Sequence, residues 1–147
     1  MKNQTPSLDL SHFPVMLNEI IEITSPSKGG SYIDCTFGGG SYSKELLKFP
    51  KTIVKGLDRD KKVEEIGKEL EKKFPKRFKF HQIKFSQINT VTKDFADTVI
   101  FDLGLSSIQL NDFERGFSFK STKNLDMSMG LSQISAQDAI NNLSELN

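Results

Sequence analysis

The stretch SYIDCTFGGGSYS at residues 31–43 joins a short strand-forming segment to a glycine-rich turn. Residues 31–35 are expected to form the strand, which passes directly into the turn. Because glycine lacks a Cβ atom, the backbone of such a turn can approach a ligand closely and point N–H groups at it. A helix is expected to begin near Ser41 or Ser43, whose hydroxyls can cap it, and to continue through Leu47.

Strands and helices alternate along most of the remaining chain. The other expected elements are strands at residues 53–57, 78–85 and 98–103 and helices that begin at Pro14, Asp60 and Ser135. This alternation predicts an α/β fold with a parallel sheet and right-handed crossovers. The strand at 98–103 is apolar enough to be buried on both faces. Residues 105–131 show no clear periodicity.

The composition is that of one ordinary folded domain. Of 147 residues, 36% are hydrophobic and 27% are charged, and the formal net charge is only +1. The single cysteine, Cys35, excludes an internal disulfide and a multi-cysteine metal site, and no metal site is expected. The first residues are polar, and no stretch approaches the ~18 apolar residues of a membrane span. We therefore expect a cytoplasmic protein with no membrane attachment.

Acidic residues stand at the ends of three expected strands. They are Asp34, Asp58 and Asp102, and the carboxyl ends of parallel strands share one edge of a sheet. Like charges resist joint ionisation, so three carboxylates at this edge indicate a bound ligand. Asp58 lies 20 residues after Gly38, an offset at which an acid accepts hydrogen bonds from ribose hydroxyls. The alternative is a tight turn followed by an exposed acid.

Two features favour S-adenosylmethionine over a dinucleotide as the cofactor. The dinucleotide fingerprint G-x-G-x-x-G fails here, because Ser43 occupies the third glycine position. The sulfonium and ammonium of S-adenosylmethionine also favour nearby acids such as Asp34, whereas a pyrophosphate gains little from them. A nucleotide-dependent oxidoreductase is therefore the disfavoured alternative.

Seven motifs occur in a characteristic order. They are HFPVMLNEI at 12–20, DCTFGGGSYS at 34–43, GLDRD at 56–60, FSQI at 85–88, DLGLSSIQL at 102–110, ERGFSF at 114–119 and LDMSM at 125–129. Together they resemble the RsmH (MraW) family, which methylates N4 of a cytidine in 16S ribosomal RNA of the small ribosomal subunit. The resemblance implies a Rossmann-like, class I S-adenosylmethionine-dependent methyltransferase fold.

The resemblance also implies the cofactor-binding positions. These are Gly40, Ser41, Tyr42, Asp58, Phe85, Asp102 and Gln109, and the backbone at Gly38 is expected to contribute as part of the same turn. The chain departs from the family at three places. Ser41 replaces a glycine, Tyr42 stands where many members have histidine, and Ser128 replaces the arginine of LDMRM. The loss of that arginine bears on substrate affinity more than on cofactor binding.

The family's members are longer than this chain, with a helical domain inserted after the fourth strand. The polar first residues are expected to form a flexible tail at 1–11. The resemblance predicts the first half of a cofactor-binding domain at 12–110 and the start of the inserted domain at 111–147. The sheet is expected to be incomplete, with an open edge on its fourth strand. The alternative to an enzyme is a truncated, non-catalytic remnant that binds only cofactor or RNA.

Methyl transfer to a cytosine amine needs a group that accepts the amine proton. Asp102, or a backbone carbonyl beside it, is the first candidate, although a cofactor-binding role for Asp102 is favoured; Asp126 is the second candidate. Phe117 and Phe119 either stack on a flipped-out base or anchor the core. Arg115 contacts a phosphate or caps a carbonyl, and the pattern does not choose between these roles.

The densest basic stretch is expected to be a solvated surface, with contact to the RNA backbone as the alternative. It comprises Lys72, Lys73, Lys76, Arg77, Lys79 and Lys84.

Overall fold

The computed structural model describes residues 14–93, 95–131 and 134–142. The tail expected at 1–11 lies outside the described residues. The elements along the chain are α1 (Leu17–Thr24), β1 (Gly30–Asp34), α2 (Ser41–Leu46), β2 (Thr52–Asp58), α3 (Glu64–Lys73), β3 (Phe78–Gln82), β4 (Thr98–Ile100), α4 (Ser107–Asn111) and α5 (Ala136–Asn142). Short 3-10 helices occur at Pro26–Lys28, Lys61–Val63, Phe85–Thr90 and Phe113–Arg115.

The four strands form one parallel sheet in the order β3-β2-β1-β4. Asp34 at the end of β1 lies opposite Gly56 of β2 and Ile100 of β4, and Asp58 lies opposite Gln82 of β3. The strand ends therefore meet at one edge, as expected of a doubly wound sheet. The predicted α/β, Rossmann-like fold is confirmed.

Both faces of the sheet are covered by apolar side chains. On one face, Tyr32 and Val54 pack with Leu46 of α2 and Leu70 of α3, all of them at most 4% exposed. On the other face, Ile33, Cys35 and Leu57 form a second cluster. Its outer members come from the segment after β3, namely Ile83, Ile88, Val91 and Ala96. The described sheet thus has α-helices packed on one face, while the segment after β3 covers the other face in part, since Ile53 and Val99 remain 51% and 42% exposed there.

The third and fourth strands are shorter than predicted. β3 ends at Gln82, so Phe85 begins a 3-10 helix instead of ending a strand. β4 ends at Ile100 because the next backbone donor, Asp102 N–H, turns to the Thr36 hydroxyl (2.8 Å). The expectation that this strand is buried on both faces was wrong, since Val99 is 42% exposed. β4 is an edge strand of the described sheet, as predicted.

The helix after the glycine turn begins where predicted but is capped differently. Gly40 occupies the cap position and Ser41 is the first helical residue. The Ser43 hydroxyl, expected as a possible cap, donates to Asp34 Oδ2 at 2.8 Å. Burial of Asp34 explains the difference, because a buried carboxylate needs a donor more than an accessible helix end does.

The segment after β4 contains a helix that the sequence pattern did not predict. In α4, the Ser106 hydroxyl accepts from Gln109 N–H, and the Gln109 side chain accepts from Ser106 N–H. This reciprocal cap has the sequence signature S-x-x-Q, which could have located the helix. The similar cap predicted between Ser135 and Asp138 at the start of α5 is confirmed.

Two members of the basic stretch are bonded within the protein. Arg77 is a structural residue, since its guanidinium donates to the carbonyls of Leu47 and Phe49 at 3.0 and 2.9 Å. Lys79 pairs with Glu71 at 3.2 Å.

Candidate functional site

A cleft of roughly 780 Å³ opens at the carboxyl ends of β1, β2 and β4. This volume is within the range of pockets that hold drug-sized ligands and cofactors. Its walls come from the glycine turn, the end of β2, the start of the 3-10 helix at Phe85, and the segment that follows β4. Of the predicted cofactor residues, it is lined by Gly38, Ser41, Tyr42, Asp58, Phe85, Asp102 and Gln109.

The glycine turn presents bare backbone to this cleft. Gly38 and Gly40 have positive φ values of 49° and 74°, a conformation that favours glycine. Among the described residues, no atom lies within 4 Å of the position that a Cβ on Gly39 would take. A Cβ on Gly40 would lie 2.7 Å from the Phe37 ring, so Gly40 packs on Phe37 instead of lining the cleft. Ser41, which stands where the family has a glycine, is the first residue of α2, and a helical backbone accommodates its Cβ atom.

Asp58 is held beside the turn by backbone donors. Its Oδ2 accepts from Gly38 N–H and its Oδ1 accepts from Asp60 N–H, both at 2.8 Å. A carboxylate offers about four acceptor sites, so two backbone bonds leave capacity for hydroxyl donors. Desolvation raises the pKa of Asp58 above its ordinary value. The position expected of a ribose-binding acid is therefore compatible with this geometry.

Asp34 lies beneath the turn and is fully buried. Its carboxylate accepts from the Ser43 hydroxyl at 2.8 Å and from Thr36 N–H at 3.4 Å. Burial raises the pKa of Asp34 to about 6. Although the sequence argument used Asp34 as a partner for a cationic cofactor, this described residue lies outside the cleft lining and supports the turn from below.

Tyr42 links the start of the chain's described part to Asp102. Its hydroxyl lies 2.6 Å from the Val15 carbonyl and 3.2 Å from Asp102 Oδ2. Burial, with the neighbouring Asp102 charge, raises the pKa of Tyr42 to about 12, so the phenol stays protonated and can donate. Asp102 is exposed, and its backbone N–H donates to Thr36. The Asp102 carboxylate can therefore accept protons or hydrogen bonds from a molecule in the cleft.

An aromatic pair stands at the rim of the cleft. Phe85 and Phe101 meet edge to face, with ring centroids 5.5 Å apart, and are 44% and 50% exposed. Phe85 lines the cleft and offers a half-open ring for stacking on a purine. Phe101 supports it, and the sequence analysis did not single it out.

Gln109 faces the cleft but is already hydrogen-bonded within the protein. Its Nε2 donates to Asp60 Oδ2 at 3.0 Å, and its Oε1 accepts from Ser106 N–H at 2.9 Å. The residue is buried, so its amide shapes the cleft wall through these bonds.

Other candidates lie apart from the cleft. Asp126, a described residue outside the cleft lining, accepts from the Ser128 hydroxyl at 3.1 Å. Phe117 is buried against the Arg115 guanidinium, as a core anchor would be, while Phe119 is fully exposed. Arg115 binds a carbonyl and a carboxylate, those of Ser128 and Asp60.

Val15 and Met129 also line the cleft, although neither was predicted as a site residue. Both lie within the quoted motifs, HFPVMLNEI and LDMSM, and those motifs were the available signal. Within the described ranges, no cluster of three or more His, Cys, Asp or Glu side chains could hold a metal ion. Helices long and apolar enough to cross a bilayer are likewise absent from the part of the chain that the structure describes.

Comparison with known proteins identifies the family. The family model described as the MraW methylase family matches residues 9–147. The chain belongs to the MraW methylase family. It is 42% identical over 142 residues to ribosomal RNA small subunit methyltransferase H of Anaplasma phagocytophilum (strain HZ), a match covering 92% of this chain and 48% of the relative. It is 42% identical over 136 residues to the protein of that name in Rickettsia massiliae (strain Mtu5), covering 92% and 44%.

These MraW relatives are longer proteins. The chain spans about half the length of the curated relatives that it matches. The family resemblance drawn from the seven motifs is confirmed, including its placement in the N-terminal half. The division at residue 110 into a cofactor domain and an inserted domain stays a prediction.

Proposed function

We propose that this chain is the cofactor-binding half of an S-adenosylmethionine-dependent methyltransferase acting on N4 of a cytidine in 16S ribosomal RNA. The observation that carries the proposal is the cleft at the strand ends, where bare glycine backbone and the Asp58 carboxylate face the same space. Membership of the MraW methylase family supports the reaction class, and the names of the relatives support small-subunit ribosomal RNA as the substrate. A cytoplasmic location follows from that substrate.

The residues present fit S-adenosylmethionine. Asp58 keeps acceptor capacity for the ribose hydroxyls, and Phe85 presents a half-exposed ring to an adenine. The open position over Gly39 leaves room for close approach of the ligand to the backbone. Asp102 adds a negative charge at the cleft, which favours a cationic ligand over an anionic one.

When bound, S-adenosylmethionine supplies an electrophilic methyl group on a positively charged sulfur. The protein's part is to hold the acceptor amine in line and to take up its proton. We assign this second role to Asp102 because its carboxylate is exposed at the cleft, 3.2 Å from the Tyr42 hydroxyl. Asp126 is the weaker candidate, since it lies outside the cleft lining among the described residues.

A specific observation favours one alternative, a chain that binds cofactor without catalysing transfer. The apolar side chains that follow β4 are exposed, with Leu103 at 71% and Leu105 at 44%. These residues line the same cleft, so one of its walls is open to water. Water exclusion strengthens electrostatic interactions at a reaction centre, so this open wall disfavours the reaction more than it disfavours cofactor binding.

Calorimetric titration with S-adenosylmethionine tests the cofactor part of the proposal. The chain should bind, and Asp58→Ala should weaken binding by at least about 100-fold, because two or more charge-assisted hydrogen bonds are lost. Glu69→Ala is the matched control, since Glu69 is an exposed acid on α3. No binding by the folded chain, or equal binding by the Asp58 variant, would overturn this assignment.

Methyl transfer to isolated small ribosomal subunits tests the catalytic part. If Asp102 accepts the proton, Asp102→Asn should lower the rate of transfer at saturating S-adenosylmethionine by roughly 100-fold or more, beyond the loss of cofactor affinity that the missing charge causes. A chain that binds cofactor but transfers no methyl group would support the non-catalytic alternative.

A further inference from the structure

A buried charged cluster joins the loop after β2 to the irregular segment that follows β4. At its centre is Asp60, which is 1% exposed. Its Oδ1 accepts from Lys62 N–H at 3.0 Å, and its Oδ2 accepts from Gln109 Nε2 at 3.0 Å and Arg115 Nη1 at 2.9 Å. A buried carboxylate keeps its charge at low free-energy penalty only when such donors surround it.

Arg115 extends this cluster toward the end of the irregular segment. While Nη1 pairs with Asp60, Nη2 donates to the Ser128 carbonyl at 2.9 Å. The backbone carbonyl of Arg115 also accepts from Met127 N–H at 2.8 Å. The planar guanidinium can satisfy two acceptors in fixed directions, which a lysine ammonium does less well.

The cluster reaches the cofactor cleft on two sides. On one side, Asp60 N–H donates to Asp58 Oδ1, the proposed ribose-binding acid. On the other side, Gln109 and Met129 form part of the cleft wall. The Met129 carbonyl accepts from Lys61 N–H at 3.3 Å, which closes the connection back to the loop after β2.

We infer that Asp60 and Arg115 form a positioning clamp that holds Gln109 and Met129 against the cofactor cleft. Both clamp residues are described, and neither lines the cleft, so they act through their neighbours and not by touching the cofactor. The inference rests on the proposed function, because the clamp is assigned to the ligand of that cleft. It also gives Arg115 a role that neither phosphate contact nor simple carbonyl capping describes.

Two measurements on the full chain test the clamp. Amide hydrogen exchange at Lys61 and Met127 reports whether the segment is held, and titration with S-adenosylmethionine reports the cleft. Arg115→Gln should speed exchange at both amides roughly tenfold or more and weaken cofactor binding by a similar factor, since a buried charge loses its partner. Exchange at Val54 in β2 should stay unchanged, which separates a positioning role from a general loss of stability.

Two further variants keep the test decisive. Arg115→Lys preserves the charge and should give a smaller loss, which covers the case in which Arg115→Gln fails to fold. Lys123→Gln is the matched control, because Lys123 forms an exposed ion pair with Glu114 at 3.4 Å in the same segment. The control should change neither measurement.

The possible results distinguish failure of the clamp from failure of the proposed function. If the unsubstituted chain binds no S-adenosylmethionine, the proposed function fails and the cofactor role of the clamp fails with it. If the unsubstituted chain binds and the folded Arg115 variants bind equally well, the clamp alone is wrong. Unchanged exchange at Lys61 and Met127 would also overturn the clamp.

Discussion

The two walls of the cleft differ in how completely this chain builds them. On the β1–β2 side, Asp34 is fully buried and hydrogen-bonded, and both Asp58 oxygens accept backbone donors. On the β4 side, Leu103 and Leu105, which line the cleft, are 71% and 44% exposed. The first wall is fixed by buried contacts within the described chain, whereas the second is a partly open apolar surface. The proposed contacts of Gly38 and Asp58 with the cofactor lie on the first wall, so we expect cofactor binding to depend on that wall most, whereas the proposed methyl transfer also needs the second wall to exclude water.

The largest difference between the walls should appear in stability. Leu57 is fully buried in the cluster with Ile33 and Cys35, so Leu57→Ala should lower the free energy of unfolding by about 3–5 kcal/mol. Leu103→Ala removes the same atoms from an exposed site and should change it by less than ~0.5 kcal/mol. Urea unfolding measures both, and similar losses would show that the second wall is packed after all.

Within the glycine turn, a packed position, Gly40, can be compared with an open one, Gly39. Gly40→Ala places a Cβ 2.7 Å from the Phe37 ring at a φ of 74°, so unfolding should become easier by about 2–4 kcal/mol. Gly39→Ala meets no described atom within 4 Å and should leave stability almost unchanged while weakening S-adenosylmethionine binding. Thermal unfolding and titration of the two variants check this. Equal losses of stability would contradict the assigned turn geometry.

The buried carboxylate of the first wall predicts a pH dependence. Because burial raises the pKa of Asp34 to about 6 from 3.8, the folded state binds the proton more tightly than the unfolded state. The resulting stability is fully present below pH 3.8 and is lost as pH rises through about 6. The ionised group should therefore lower the free energy of unfolding by roughly 2–3 kcal/mol at pH 8 relative to pH 4.

Asp34→Asn should remove this part of the pH dependence, since an amide does not ionise. Unfolding measured from pH 4 to pH 8 should give a flatter profile for the variant than for the unsubstituted chain. Glu69→Gln is a suitable control, because Glu69 is an exposed acid on α3. An unchanged profile for Asp34→Asn would show that the carboxylate is not protonated in the folded state.

The smallest effect on stability is expected at the open edge. Val99→Lys adds a charge to an exposed position on β4 and should leave the free energy of unfolding within about 0.5 kcal/mol. It should nevertheless reduce self-association, because a lysine on an edge strand opposes pairing between edges. Sedimentation at increasing protein concentration measures this, and stronger association by the variant would contradict the assignment of β4 as an edge.

The first wall was largely predictable because its signals are local. The glycine turn, the strand before it and Asp58 occupy fixed sequence offsets, and a parallel sheet brings strand ends together. The second wall depends on contacts distant in sequence. The bond between Asp102 N–H and Thr36 that ends β4 joins residues 66 apart, and the Arg115–Asp60 pair joins residues 55 apart. Hydrophobic periodicity carries no information on such contacts, so neither the length of β4 nor the role of Arg115 could be predicted from the sequence.

Two local hydrogen-bonding signals in the sequence were misread or missed. Ser43 was a reasonable helix cap, but the buried Asp34 carboxylate competes for its hydroxyl and wins. The capping box of Ser106 and Gln109 was visible in the sequence and would have located α4.

The central claim is that S-adenosylmethionine binds at the strand ends against the glycine turn and Asp58. Amide chemical-shift mapping during titration with S-adenosylmethionine tests it most directly, because each residue reports separately. The largest shifts should fall on Gly38, Gly39 and Asp58, with smaller shifts at Gln109. Shifts confined to α3 and the basic stretch around Lys76, or no shifts in a folded chain, would contradict the claim.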